Sequence, residues 1–156
     1  MKKLILIRGP LAVGKTTVSK LLAKNLHAEY LSLDKILEDN NLEGTNEIPL
    51  ENFLKSNEII FKLISNSKNS FILDGCFYYQ EQIDDLKQKF KNNIIIFTLT
   101  SSVETCIERD SKRKKIYGED SARYVHMVTT KIKTGHEIDN SGLTIQETIA
   151  KIMEKI

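Results

Sequence analysis

Residues 9–16 read Gly-Pro-Leu-Ala-Val-Gly-Lys-Thr, a complete GxxxxGKT, directly behind the short apolar run Leu4–Ile7. Few strings of this length constrain a fold so strongly. Glycine lets the backbone turn tightly, so that successive N–H groups face one anion, and the helix that follows adds its positive end. Lys15 would then reach the β- and γ-phosphates of a nucleotide, and Thr16 Oγ would ligate Mg²⁺. From Thr16 onward, Val18, Leu21, Leu22 and Leu26 keep one helical face. The string therefore lies between a predicted strand and a predicted amphipathic helix, which sets it apart from a chance Gly/Lys turn. Gly9, Pro10, Leu11, Ala12, Val13, Gly14, Lys15, Thr16 and Thr17 are the expected triphosphate cradle.

The rest of the chain repeats the same alternation of strand and helix, the pattern of βα units on a parallel sheet. Tyr30–Leu33 reads as a second strand ending at Asp34, and Phe71–Leu73 as a third ending at Asp74-Gly75. Ile94–Leu99 is a continuous β-branched run suited to a sheet covered on both faces, and Ile138 marks a short fifth strand. Pro49 fits the first turn of a helix whose face is Leu50, Phe53, Leu54, Phe61 and Ile64, and Ile83, Leu86 and Phe90 mark the next. Ser101 with Glu104, and Thr144 with Glu147, have the spacing of capping boxes; the last helix repeats Ile145, Ile149, Ile152, Met153 and Ile156.

Length and charge narrow the class further. With 156 residues, the chain is read as one domain, large enough for its own core without a disulfide or metal staple. A net charge of +2 excludes binding of nucleic acid or membranes by bulk charge. Cys76 and Cys106 form no CxxC or metal-ligand pattern and read as core residues in a reducing compartment. Met1-Lys2-Lys3 before Leu4–Ile7 imitates a secretory signal, but Arg8 ends the apolar run far short of the roughly 7–15 residues required. Nothing approaches the roughly 18 apolar residues of a membrane span. A cytoplasmic protein, monomer or dimer, is expected.

A switch GTPase would need NKxD, which is absent; Asp139-Asn140-Ser141-Gly142 spells DxxG, but too late in the chain for a γ-phosphate sensor. A motor ATPase normally needs a longer chain. A kinase remains, and three features favour it. Asp34, at the expected carboxyl end of a strand, would face the phosphate loop and could accept the proton of an attacking hydroxyl, or else cap a helix. Asp74 has the place of an aspartate that holds Mg²⁺ through water, or else closes a turn. Only four of the 23 basic residues are arginines, and Arg109, Arg113 and Arg123 cluster within residues 109–123. Arg109 and Arg113, four apart, would share a helix face and clamp the transferred phosphoryl group, with Gly118 as hinge of a lid. The alternatives are a solvated basic face or, with Lys112, Lys114 and Lys115, a nucleic-acid patch. His27, His126 and His136 lie scattered without partners, and Tyr78-Tyr79 could stack on a planar acceptor or form an aromatic wall.

With RGPLAVGKTT, ILDG, CIERDSKR and HEIDNSG in place, the chain resembles the small P-loop kinases. That group holds shikimate, gluconate, adenylylsulfate and nucleoside-monophosphate kinases, chloramphenicol phosphotransferase and polynucleotide 5′-kinases. The nearest in character are AAA-type and shikimate-kinase-like proteins. The resemblance implies a three-layer α/β fold with a five-stranded parallel sheet in order 2-3-1-4-5, ATP with Mg²⁺, and a mobile lid. It places Asp139, Asn140 and Ser141 where such kinases cradle adenine. Two departures matter. Where adenylate-type kinases hold the acceptor phosphate with arginines, this chain has Tyr78 and Leu37. Where shikimate kinases have a glycine-rich turn and paired acids, it has Asp74-Gly75-Cys76 and Asp34 alone.

The expected activity is ATP-dependent phosphorylation of a small-molecule hydroxyl, with the acceptor pocket falling mainly to residues 36–66. The rivals are a polynucleotide 5′-hydroxyl kinase and a nucleotide-binding regulator that hydrolyses ATP slowly.

Overall fold

The computed structural model describes residues 3–156; Met1 and Lys2, the first two residues of the signal-like start, lie outside the described residues. The chain runs β1 (Leu4–Arg8), α1 (Lys15–Asn25), β2 (Glu29–Ser32), α2 (Leu33–Asp39), α3 (Leu50–Ser65), β3 (Phe71–Asp74) and α4 (Gln80–Phe90). It continues through β4 (Ile94–Thr100), α5 (Val103–Ser111), α6 (Glu119–Thr130), β5 (His136–Asp139) and α7 (Ile145–Met153).

The five strands form one parallel sheet in order β2-β3-β1-β4-β5. Period-two alternation divides β1 between two cores. Leu4 and Leu6 join Phe53, Ile60, Phe71 and Leu86 on one face. Ile5 and Ile7 join Val18, Leu22, Phe97 and Ile152 on the other. Both faces are apolar because helices cover both, which is why β1 reads as an unbroken run rather than as an alternating one. With neighbours on either side in the sheet, β1 is fully buried and delivers the phosphate loop from its carboxyl end.

Three local expectations change. Strand β2 stops at Ser32, whose Oγ accepts from Lys35 N at 3.3 Å and caps α2. Asp34 thus sits in the first turn of a helix, neither ending a strand nor capping. Helix α5 is capped by Ser102, which accepts from Thr105 N at 3.1 Å, so the Ser101–Glu104 spacing is one residue out of frame. Pro49 is the N-cap of α3 rather than its first helical residue. The Thr144–Glu147 capping box forms as expected.

Candidate active site

The phosphate loop is held from three sides. A Cβ at Gly9 would run into the Leu99 carbonyl, so the chain leaves β1 through a gap that only glycine fits. Lys15, largely buried, donates from Nζ to Pro10 O at 2.6 Å and so folds over its own loop. Asn140 donates from Nδ2 to Val13 O at 2.6 Å, tying the β5–α7 connection to the loop's back. Its Oδ1 is buried with no partner among the described residues. In the same connection, Asp139 Oδ1 accepts from Ser141 N at 2.9 Å, and the Ser141 and Ser101 hydroxyls lie 3.2 Å apart.

Thr16 and Asp74 meet. The Thr16 hydroxyl donates to Asp74 Oδ2 at 2.7 Å, and the Tyr30 hydroxyl donates to the same oxygen at 2.9 Å. Burial, then the Asp74 charge, pushes the Tyr30 phenol well above its usual range. No group of three or more His, Cys, Asp or Glu among the described residues could hold a metal alone. A hydroxyl and one carboxylate beside a phosphate loop suit Mg²⁺ instead, which keeps waters and takes phosphate oxygens as further ligands.

Arg109 and Arg113 both reach the phosphate side. With Ala12, Gly14, Lys15, Thr16 and Thr17 they line a pocket of about 220 Å³, and Arg109 Nη1 lies 3.5 Å from Val13 O. They do not share a helix face, however. Helix α5 ends at Ser111, and Arg113 lies in the loop beyond it. The buried carboxylate of Asp110 folds the chain back, accepting from Tyr117 N at 3.2 Å and from Gly118 N at 2.9 Å. Gly118 then opens α6 at φ 94°, with open space where a Cβ would stand.

A larger cavity of about 770 Å³ opens beside this pocket, lined by Leu11 of the phosphate loop, Asp34, Cys76 and Tyr78, and by Lys115 and Tyr117 from the connection between α5 and α6. Part of its wall comes from residues 36–66, through Leu37, Glu38, Glu43, Ile48 and Phe53. Asp34 is accessible from the cleft yet walled by it, and desolvation holds its carboxyl above the usual range. The Lys15 charge pulls it down, Asp74 pushes it up, and Lys115 and Arg113 pull down more weakly. Cys76, expected in the core, faces this cavity instead, in the extended connection that follows β3; only Cys106 is core. Tyr78 and Tyr79 form the aromatic wall, each packed on Phe53 with centroids 5.4 and 5.6 Å away.

A family model described as "AAA domain" matches residues 4–131, from β1 to the end of α6. The chain belongs to that family. Among curated relatives, a shikimate kinase of Flavobacterium psychrophilum is 36% identical over 116 residues, covering 70% of this chain and 65% of that protein, just under two thirds of its length. A shikimate kinase of Thermodesulfovibrio yellowstonii is 28% identical, covering 99% of this chain and 95% of its own. Among solved structures, a sugar kinase from Janibacter sp. HTCC2649 shares the fold with a TM-score of 0.80 at 17% identity, covering 99% of this chain and 94% of that one. The likeness to small P-loop kinases read from the motifs therefore holds, and so does the strand order it implied.

Three site residues of this AAA-domain chain gave no sequence signal. Arg8, fully buried, donates to Phe77 O at 3.1 Å, Thr129 O at 2.9 Å, Ile132 O at 3.3 Å and Thr98 Oγ1 at 3.1 Å. It faces no carboxylate at contact, and desolvation lowers its pKa to about 10. It holds the end of α6 against the sheet immediately before the phosphate loop. Asp110 is the second. His126 is the third, and it is not without a partner: its Nε2 lies 2.8 Å from Ser101 O, linking α6 to the end of β4. The reach from Asp110 to Gly118 spans eight residues with no period or motif that announces it in the sequence.

Proposed function

We propose that this chain transfers the γ-phosphoryl group of ATP to a hydroxyl of a small-molecule acceptor, with residues 109–123 as the lid of a single kinase domain. The observation that carries the reading is the juxtaposition of two pockets. The smaller is lined by Lys15, Arg109 and Arg113, and the larger places the Asp34 carboxylate within electrostatic reach of Lys15 and Arg113. Curated relatives of the chain bear the name shikimate kinase, and a solved structure of like fold that of a sugar kinase, which supports the same reaction class.

In this reading the loop N–H groups and Lys15 hold the triphosphate, and Asn140 steadies the loop from behind. Asp139, Asn140 and Ser141 border the adenine. Asp34 takes the acceptor proton as the new P–O bond forms, while the bond to the ADP oxygen breaks. Arg109 and Arg113 meet the charge that develops on the phosphoryl oxygens, and the lid keeps water out. Thr16 and Asp74 would hold Mg²⁺, which supplies charge neutralisation between the phosphates when bound. Such catalysis is mainly positioning and electrostatics.

The polynucleotide reading is less favoured: two of its lysines are engaged, Lys112 with Glu108 at 2.8 Å and Lys115 over the Tyr117 ring. No helix among the described residues is long and apolar enough to cross a membrane; the cytoplasm, with its ATP and reduced thiols, is the proposed place of action. Incubation with γ-labelled ATP, Mg²⁺ and a pool of small hydroxyl compounds and 5′-hydroxyl oligonucleotides tests the reading. Label on a small molecule is expected. Label appearing only as free phosphate would favour the regulator.

A further inference from the structure

The acceptor cavity carries an unusual charge inventory for a site whose chemistry is phosphoryl transfer. Three carboxylates line it, Asp34, Glu38 and Glu43, against two ammonium groups, Lys35 and Lys115. Both cations are engaged. Lys35 Nζ lies 2.6 Å from Asp39 Oδ1 and 3.7 Å from Glu38 Oε2, and Lys115 Nζ lies 5.2 Å from the Tyr117 ring centroid.

None of the four arginines lines this cavity, although Arg113 stands 5.5 Å over the ring of Tyr117, which does. Arg8 is enclosed by oxygen acceptors, Arg109 and Arg113 line the phosphate pocket, and Arg123 pairs with Glu119 at 2.9 Å. A guanidinium fork is the usual means of holding a carboxylate or phosphate in two-point geometry, and here it is missing where an anionic acceptor would need it. By contrast, neither Asp34 nor Glu43 has a hydrogen bond or ion pair among the described residues.

The titration directions agree with the geometry. The Asp34 carboxyl, the Cys76 thiol and the Tyr78 phenol all rise above their usual values. Burial is the largest cause each time; the negative charge of Asp34 adds to the shift at Cys76 and Tyr78. Burial penalises a charge of either sign, and Lys15 opposes the rise at Asp34 and Cys76, so these directions mark a sheltered cavity and the preference for a cation rests on the lining carboxylates.

Resting on the kinase reading above, we propose that the acceptor is a hydroxyl compound bearing a protonated amine and neither carboxylate nor phosphate, an amino sugar or amino alcohol. Its ammonium group is held by the unpaired Glu43, with Glu38, which lies 3.7 Å from Lys35, adding its charge nearby, and its reacting hydroxyl lies at Asp34. The same carboxylates that attract it turn away anionic analogues of equal size, so selectivity comes from repulsion as much as from attraction.

Two probe sets of matched skeleton test this: glucosamine, glucose and glucuronate, and serinol, glycerol and glycerate. Binding is measured by titration calorimetry on protein loaded with Mg²⁺ and a non-hydrolysable ATP analogue, and transfer by label from γ-labelled ATP. The amine of at least one set is expected to bind at least tenfold tighter than its neutral counterpart, with the carboxylate weakest. Glu38→Gln with Glu43→Gln should bring the amine down to the neutral level. Equal or tighter binding of a carboxylate overturns the proposal, as does an amine preference untouched by the double substitution, or no binding of any amine. Tight amine binding without label keeps the cavity's preference and removes the kinase reading. Label on glucuronate or glycerate in preference to the amines does the reverse.

Discussion

The Thr16 hydroxyl and the Asp74 carboxylate, 58 positions apart, are joined by a hydrogen bond of 2.7 Å that ties the first turn of α1 to the end of β3. Asp74 Oδ2 accepts from Tyr30 as well, so one oxygen is aimed by two hydroxyls at the place where the phosphate loop begins its helix. A metal ion held here would find its protein ligands already oriented.

Asp74→Ala is accordingly expected to raise the Mg²⁺ concentration for half-maximal transfer at least tenfold. Tyr30→Phe keeps the carboxylate and removes one hydrogen bond to it, a loss of about 1–3 kcal/mol. Its expected effect is a smaller rise in the same Mg²⁺ midpoint. Metal titrations of phosphotransfer on both variants check the order.

Lys15→Ala removes the cation that folds over the loop and would meet the phosphates. Transfer should fall by about 10²-fold or more, while the far-ultraviolet circular dichroism of the fold stays unchanged. Turnover within a few-fold of the parent chain would remove the assignment.

Asp34 titrates above its usual value of 3.8, chiefly through desolvation. As a base it works only when ionised, so activity is lost as pH falls, and the acid limb of kcat/KM should lie above the ordinary aspartate range. For stability the sign is opposite. The raised pKa penalises the ionised form in the folded chain, so the penalty is present at neutral pH and disappears as pH falls through the folded pKa. Asp34→Asn should therefore lower kcat by about 10²–10⁴-fold without lowering Tm at pH 7. A drop in Tm together with retained activity would show a structural role only.

Asp110 closes the loop between α5 and α6 through two backbone N–H groups. Asp110→Ala leaves both without a partner, at a cost of about 1–3 kcal/mol each where they remain buried. Limited proteolysis should then cut within residues 112–118 faster than in the parent chain, and KM for ATP should rise as Arg113 loses its place.

Arg8→Met keeps much of the side-chain volume but leaves four oxygen acceptors without their donor. A loss of roughly 3 kcal/mol or more follows from charge-assisted hydrogen bonds of this kind, read as a fall of roughly 6–12 °C in Tm for a domain of this length. Calorimetry checks it.

The strand-loop-helix unit around Gly9–Thr17, the alternation of strands and helices, and the Thr144–Glu147 cap were legible because each is local. They depend on a period, a spacing or a backbone conformation that neighbouring residues impose. Asp74 was legible for the same reason, since a polar residue that ends an apolar strand stands at the carboxyl edge of the sheet whatever surrounds it. Asp34 was found by that rule as well, although Ser32 caps the helix two residues earlier and shifts it off the strand.

Long-range relations stayed hidden. Arg109 and Arg113 were paired by helical spacing, yet α5 ends at Ser111, and the two line one pocket over the phosphate loop from a helix and from the connection that the Asp110 carboxylate closes. Cys76 has a core composition but a cavity position, two residues past the end of β3, where the chain no longer lies between the two helix layers. Arg8 looks like a surface charge in sequence and is buried at the junction of β1, β4 and the end of α6, where it finds four oxygens from distant parts of the chain. By itself the sequence determined that this protein has a phosphate loop on a parallel sheet, since hydrogen-bonding period and glycine conformation act over a few residues. Tertiary structure alone decided which charges share a pocket, because electrostatic contact depends on distance in space and not on distance along the chain.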